Sequence, residues 1–94
     1  MGSFKEHCNA SYTEFGNPFP HVHKYLDEFF SKVGPKHRSL RHHTEGVEEV
    51  RKLWGDDAAA AAESHIQMDW DWHPLYKGQI PTRKEAELWT VGIC

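Results

Sequence analysis

Apolar residues recur at helical spacing through most of the stretch from Phe19 to Trp72, and Gly34-Pro35, Gly55 and Pro74 cut that pattern into three segments. A glycine ends a helix readily and a proline cannot continue one, so each stop limits how long a helix can run. No alternating pattern is long enough to suggest a strand, which confines the chain to an all-α fold. The first segment, with Phe19, Val22, Leu26, Phe29, Phe30 and Val33, predicts a helix over about residues 18–33. The second predicts a helix from about Lys36 to Trp54. The third, opening with the alanines 58–62, predicts one over about 57–72. Thr82 with Glu85 three residues on forms a capping box for a short last helix through about Trp89, after a loop over Leu75 to Pro81. Residues 1–17 show no period and read as a mostly irregular arm packed down by Phe4, Tyr12 and Phe15. The expected architecture is one domain over 1–94: an arm over 1–17 and a helical core over 18–91, built as a small bundle of about four helices.

The apolar faces of these helices contain polar residues. Taking about 100° per residue with His43 as zero, Leu40, Val47, Val50 and Trp54 fall within about 60°, so His43 is expected at the centre of the second helix's inward face. His42 and His37 land near opposite edges of that stripe, while Arg38, Arg41, Glu45, Glu48, Glu49 and Lys52 lie on the far side. On the third helix Ala58, Ala61, Ala62, Met68 and Trp72 surround His65, and Asp69 follows one turn later on the same face. On the first helix His23 sits at the edge of the apolar face and His21 points out. Three helices are thus expected to aim ligand-type side chains at one interior, which is how sites are built in helical bundles.

Two readings account for that convergence. Neutral imidazoles with a carboxylate suit zinc, iron, manganese or nickel, with His23, His43, His65 and Asp69 as ligands and His42 and His37 as alternates or supporting groups. An open coordination position would then permit hydrolysis or oxygen chemistry. A purely structural zinc site is disfavoured because no thiolate joins the set. In the other reading the same side chains satisfy one another as a buried polar network that fixes the packing. A domain of 94 residues has little surplus stability, so several ionisable groups in its core are costly without a cation.

A formal net charge of −3 argues against a dedicated nucleic-acid surface and against a polybasic membrane anchor. The basic edge Lys36, His37, Arg38 and Arg41 could hold a phosphate, but Glu45, Glu48 and Glu49 follow it, and ordinary ion pairing along the helix is the favoured reading. No apolar run is long enough to span a bilayer and no signal-peptide pattern opens the chain, so a cytoplasmic location is expected. Cys8 and Cys94 are expected as free thiols, and the Asn9-Ala10-Ser11 match to a glycosylation acceptor carries no weight in a reducing compartment. HExxH, nucleophile-elbow, phosphate-loop and His-Asp dipeptide signatures are absent. In the aromatic segment Trp70 to Tyr76, Trp72 is expected to pack inward, leaving Trp70 and Tyr76 for a contact surface and His73 free. A homodimer would complete so small a core. The competing functional class is therefore a non-enzymatic dimeric interaction module that uses this segment.

Four pieces of the chain are similar to a family of small uncharacterised proteins of bacteria and their phages, a domain of unknown function. They are His23-Lys24-Tyr25-Leu26-Asp27, then His37-Arg38 through His42-His43 and Gly46, then His65 to Asp69, then Gly78-Gln79-Ile80-Pro81-Thr82. The likeness covers about residues 22 to 89, with the His-Arg and His-His segment its most specific part. Lys36 stands where that pattern has arginine, and Trp70 to Tyr76 looks like an insertion. The resemblance implies a helical His-rich fold, and it implies no activity and no substrate.

Overall fold

The chain turns where its glycines say it should and breaks in two further places that the apolar pattern does not mark. The computed structural model describes residues 4–91, the side chains of Pro35, Lys36 and Val91 excepted, so the expectations placed on Cys94 and on the Lys36 side chain lie outside the described residues. In order the elements are α1 (Phe4–Phe15), α2 (Pro20–Leu26), α3 (Phe30–Val33), a 3-10 turn (Gly34–His37), α4 (Arg38–Arg41), α5 (Thr44–Trp54), α6 (Asp56–Trp70) and α7 (Arg83–Val91). No strand occurs among the described residues, and the fold is all-α as expected. It is not a clear four-helix bundle, because five of its helices reach seven residues or more and short pieces link them. Among the described residues no helix is long and apolar enough to cross a membrane.

The irregular arm is the first correction: Phe4–Phe15 is a twelve-residue helix. Its inward positions are His7 and Ser11, one turn apart and each 1% exposed. A helix that buries polar residues leaves no hydrophobic period to read. Phe15 packs on the core, and Gly16 turns the chain at φ +73, its N–H bonded to the Tyr12 carbonyl. The Asn17 side chain then accepts from the Phe19 N–H at 2.9 Å, and Pro20 opens α2 at a position where its missing N–H costs nothing.

The expected helix over 18–33 is interrupted after Leu26, where Asp27 leaves helical geometry. The expected helix over 36–54 is interrupted at His42 and His43. His42 has φ −87 and ψ 60, His43 is extended, and α5 starts only at Thr44. His43 caps that new start: its Nδ1 accepts from the Gly46 N–H at 3.1 Å and its Nε2 donates to the Leu40 carbonyl at 3.0 Å. Gly46 is required at this corner because a Cβ there would collide with the backbone carbonyl of Arg41. Residues on the two sides of the break share no helical phase. Hence Leu40, before the break, is exposed while Val47 and Val50, after it, are buried, and Arg38, expected in water, is 4% exposed; Trp54, at the C-terminal end of α5, is 41% exposed. Arg41 donates to the Tyr25 carbonyl and pairs with Glu28 of the preceding segment, not with Glu45, Glu48 or Glu49 of α5.

The longest helix, α6, lies at the centre. Ala58, Ala59, Ala61 and Ala62 are buried to within 1% and let α5 approach closely. Because α1, α2 and α5 all touch it, its buried arc is wider than one stripe and also takes in Ile66 and Trp70. That reverses the expectation for the tryptophans. Trp70 is fully buried, packs edge-on against Trp89 and donates to the His42 carbonyl at 2.9 Å, whereas Trp72, past the helix end, is 47% exposed. His73 is not free either, since its ring stacks on Trp89 at 5.2 Å, and Tyr76 packs against the core. The capping box forms as the spacing requires: the Thr82 N–H donates to the Glu85 carboxylate and the Glu85 N–H to the Thr82 hydroxyl, opening α7.

Candidate metal centre

Helix ends do most of the positioning. Asp27 closes α2, His37 ends the 3-10 turn, and His42 closes α4, so each projects from a point where the backbone turns. His65 and Asp69 come from the interior of α6 at i,i+4 spacing, which stacks them on one face. His23 on α2 and His7 on α1 approach from the other side of the His65 ring.

Four of these side chains bring one atom each to a common point. His42 Nε2 lies 2.7 Å from Asp69 Oδ2, 3.1 Å from His65 Nε2 and 3.4 Å from Asp27 Oδ1. His65 Nε2 lies 3.2 Å from Asp27 Oδ1 and 3.3 Å from Asp69 Oδ2. Ligand atoms about 2.0–2.2 Å from a tetrahedral ion stand roughly 3.3–3.6 Å apart, so these spacings fit a bound cation with small outward shifts. The two histidine side chains are 0% exposed and Asp69 is 4% exposed, while Asp27 is 25% exposed, which makes the Asp27 side the open edge.

Protons alone satisfy this arrangement poorly. Each imidazole nitrogen carries at most one hydrogen, yet both Nε2 atoms face each other and two carboxylates. Burial pushes the Asp27 and Asp69 carboxyls up, but hydrogen bonds from the surrounding imidazoles pull harder and hold both well below the ordinary carboxylate range. Both are anions, side by side, in a nearly dry site.

Around the four atoms lie supporting contacts. His37 stands between two acceptors, its Nε2 3.1 Å from Asp27 Oδ1 and its Nδ1 2.8 Å from the Gly34 carbonyl. On the far side of His65, its Nδ1 meets His23 Nδ1 at 2.8 Å, and His23 Nε2 meets the Ser11 hydroxyl at 2.8 Å. Burial, with the neighbouring His65 and His7, lowers the His23 pKa to about 3, so this imidazole is neutral. A neutral His23 can accept a hydrogen from His65 Nδ1, which leaves a lone pair on His65 Nε2 pointing at the common point. His7, His23 and His65 also lie close enough to suggest a second ion position. The His7 ring, however, stacks on the His65 ring at 3.6 Å, and in-plane lone pairs of stacked rings do not converge on one ion. His7 Nε2 is 3.3 Å from Asp69 Oδ1, close enough for charge attraction but not aligned as a hydrogen bond.

Of the residues expected at the site, His42, His65 and Asp69 come together here, His37 flanks them through Asp27, and His23 supports His65 from behind. His43 does not join them: it is buried 2% exposed as the cap of α5, and burial lowers its pKa. Asp27, His7 and Ser11 were not foreseen. One signal could have found Asp27, because His-x-x-x-Asp occurs twice, at 23/27 and at 65/69, and both copies reach the cluster.

No curated protein and no solved structure matches the chain. A family model does, over residues 2–77, a span that runs from α1 through α6 and contains every side chain of the cluster. By that match the chain belongs to the family described as Domain of unknown function (DUF6915).

Proposed function

We propose that the domain binds one divalent transition metal through Asp27, His42, His65 and Asp69, with hydrolysis as the reaction class it is suited to. The observation that carries this reading is the convergence of two imidazole nitrogens and two carboxylate oxygens, one from each residue, on a single buried point. Two carboxylates balance the charge of a divalent ion, and two neutral imidazoles complete a set that suits zinc, iron, manganese or nickel. Such an ion, if five- or six-coordinate, keeps a position for water and supplies Lewis-acid chemistry there. The partly exposed Asp27 side is where a substrate would enter.

The polar-network reading has one observation in its favour. His42 Nε2 meets Asp69 at 2.7 Å while His42 Nδ1 is buried without a partner, as expected if the ring's hydrogen sits on Nε2 and serves the carboxylate. For the interaction-surface part of that alternative Trp70 is buried, and the exposed apolar side chains of the Trp70 to Tyr76 segment are Trp72 and Leu75.

Elemental analysis of protein purified without an affinity tag separates the two. The metal reading expects about one ion per chain, lost in His42→Ala and in Asp69→Asn and retained in His43→Ala. Sub-stoichiometric metal that these substitutions leave unchanged would sink it.

A further inference from the structure

Arg38 has no role in the proposed ligand set, yet it is 4% exposed, and its Nε and Nη1 are buried without a hydrogen-bond partner. The arginine ion pairs found among the described residues belong to Arg41, Arg51 and Arg83. A buried lysine or histidine can shed its proton to escape this situation, and a guanidinium cannot. Burying an uncompensated cation is strongly unfavourable, so its persistence calls for a counter-charge that none of the described residues provides.

The surroundings indicate where that charge comes from. The Trp72 ring lies over the guanidinium, 5.8 Å from ring centroid to Cζ, and cation–π attraction offsets only part of the desolvation. Trp72 is itself 47% exposed, past the end of α6, and its indole N–H donates to the Asp69 carbonyl. Arg38 is tied to the same cluster by its backbone: its carbonyl accepts from the His42 N–H at 3.1 Å, and its neighbour His37 holds Asp27. Charge counting completes the argument. Asp27 and Asp69 are needed to balance a divalent ion, which leaves the guanidinium of Arg38 without a carboxylate partner among the described residues.

We propose that Arg38 is the recognition group for an oxyanion of one net negative charge, a carboxylate or a phosphodiester, with Trp72 covering the guanidinium until the anion arrives. Its place beside a reacting centre rests on the metal reading of the cluster. Anion binding by Arg38 does not, and the test keeps the two apart.

Isotope-labelled protein, both metal-free and metal-loaded, is titrated with sodium acetate and with dimethyl phosphate, using sodium chloride as the ionic-strength control. The Arg38 Nε–H and Trp72 indole resonances are expected to shift saturably with one of the two anions, and the anion that saturates identifies the class. In Arg38→Met the binding is expected to weaken by at least roughly tenfold. An Arg38-dependent response in metal-free protein supports anion recognition even if the metal reading fails. Absence of saturation with either anion overturns the proposal, as does an Arg38→Met protein that titrates like the wild type. Thermal melting supplies the second readout. A guanidinium kept for an anion is expected to leave Arg38→Met at least as stable as the wild type. A variant that melts markedly lower, or does not fold, makes Arg38 a structural residue and overturns the proposal as well.

Discussion

His42 and His43 are adjacent and both buried, yet they do different work. His42 faces two carboxylates and His65, whereas His43 accepts from the Gly46 N–H and so replaces a missing helical bond at the start of α5. Removing a capping acceptor costs about 1 kcal/mol, and His43→Ala also loses the bond to the Leu40 carbonyl, so a loss of about 1–2 kcal/mol is expected. His43→Asn keeps a short acceptor and is expected to recover about half of it. Urea unfolding of the two variants gives these differences, and a His43→Ala protein as stable as the wild type would remove the cap from the account. The same pair shows what the sequence could reveal at this scale. That a histidine of this segment enters the interior is legible from its apolar neighbours. Which one reaches the carboxylates is not, since the helix breaks at His42 and His43 and the two side chains leave the backbone in different directions.

Among the elements, the α4–α5 corner decides the geometry of the site, and Gly46 decides the corner. Helix propensity alone says that alanine at a helical position should stabilise by about 0.5–1 kcal/mol. Here the added Cβ meets a backbone carbonyl, that of Arg41, which cannot swing aside as a side chain would. Gly46→Ala is therefore expected to destabilise by about 2–4 kcal/mol, with the urea midpoint falling at an unchanged slope. The sign is the decisive outcome, because a more stable variant would show that the close approach does not exist. The same strain would move His42, so reduced metal retention is expected alongside. Elements bounded by strong punctuation were legible: α6 begins within two residues of its expected start, and α7 opens on its capping box. Those whose inward face is polar were not. The α1 helix turns His7 and Ser11 to the core, and Asp27 breaks the first predicted helix to bring a carboxylate to the imidazoles. In both places burial follows the needs of the polar cluster, which hydrophobic periodicity cannot report.

For the whole molecule, placing histidines and aspartates together in a small core couples folding to pH. In metal-free protein His23 is lowered from 6.5 to about 3 by burial, so between those values the unfolded chain binds a proton that the folded chain refuses. Folding stability must then fall as pH drops through that window, by at most about 1.4 kcal/mol per pH unit from this residue. His43, lowered by its own burial, acts in the same direction. Asp27 and Asp69 are depressed instead, so their contribution is complete above their ordinary value of 3.8 and is lost only as pH falls below it. A domain of this size commands roughly 5–15 kcal/mol in all, so the loss of at most about 4 kcal/mol through His23 above the ordinary carboxylate value takes a measurable share of the stability of metal-free protein. Urea midpoints measured in chelator are expected to decline steadily from pH 7 to pH 4 and to steepen below it. His23→Gln, which carries no proton to refuse, is expected to flatten the upper part of that decline while leaving the acid limb. A wild-type midpoint constant from pH 7 to pH 5 would contradict a neutral buried His23. Metal should protect the fold at neutral pH and lose that protection as acid competes for the imidazoles, so the loaded protein is expected to show the steeper profile of the two.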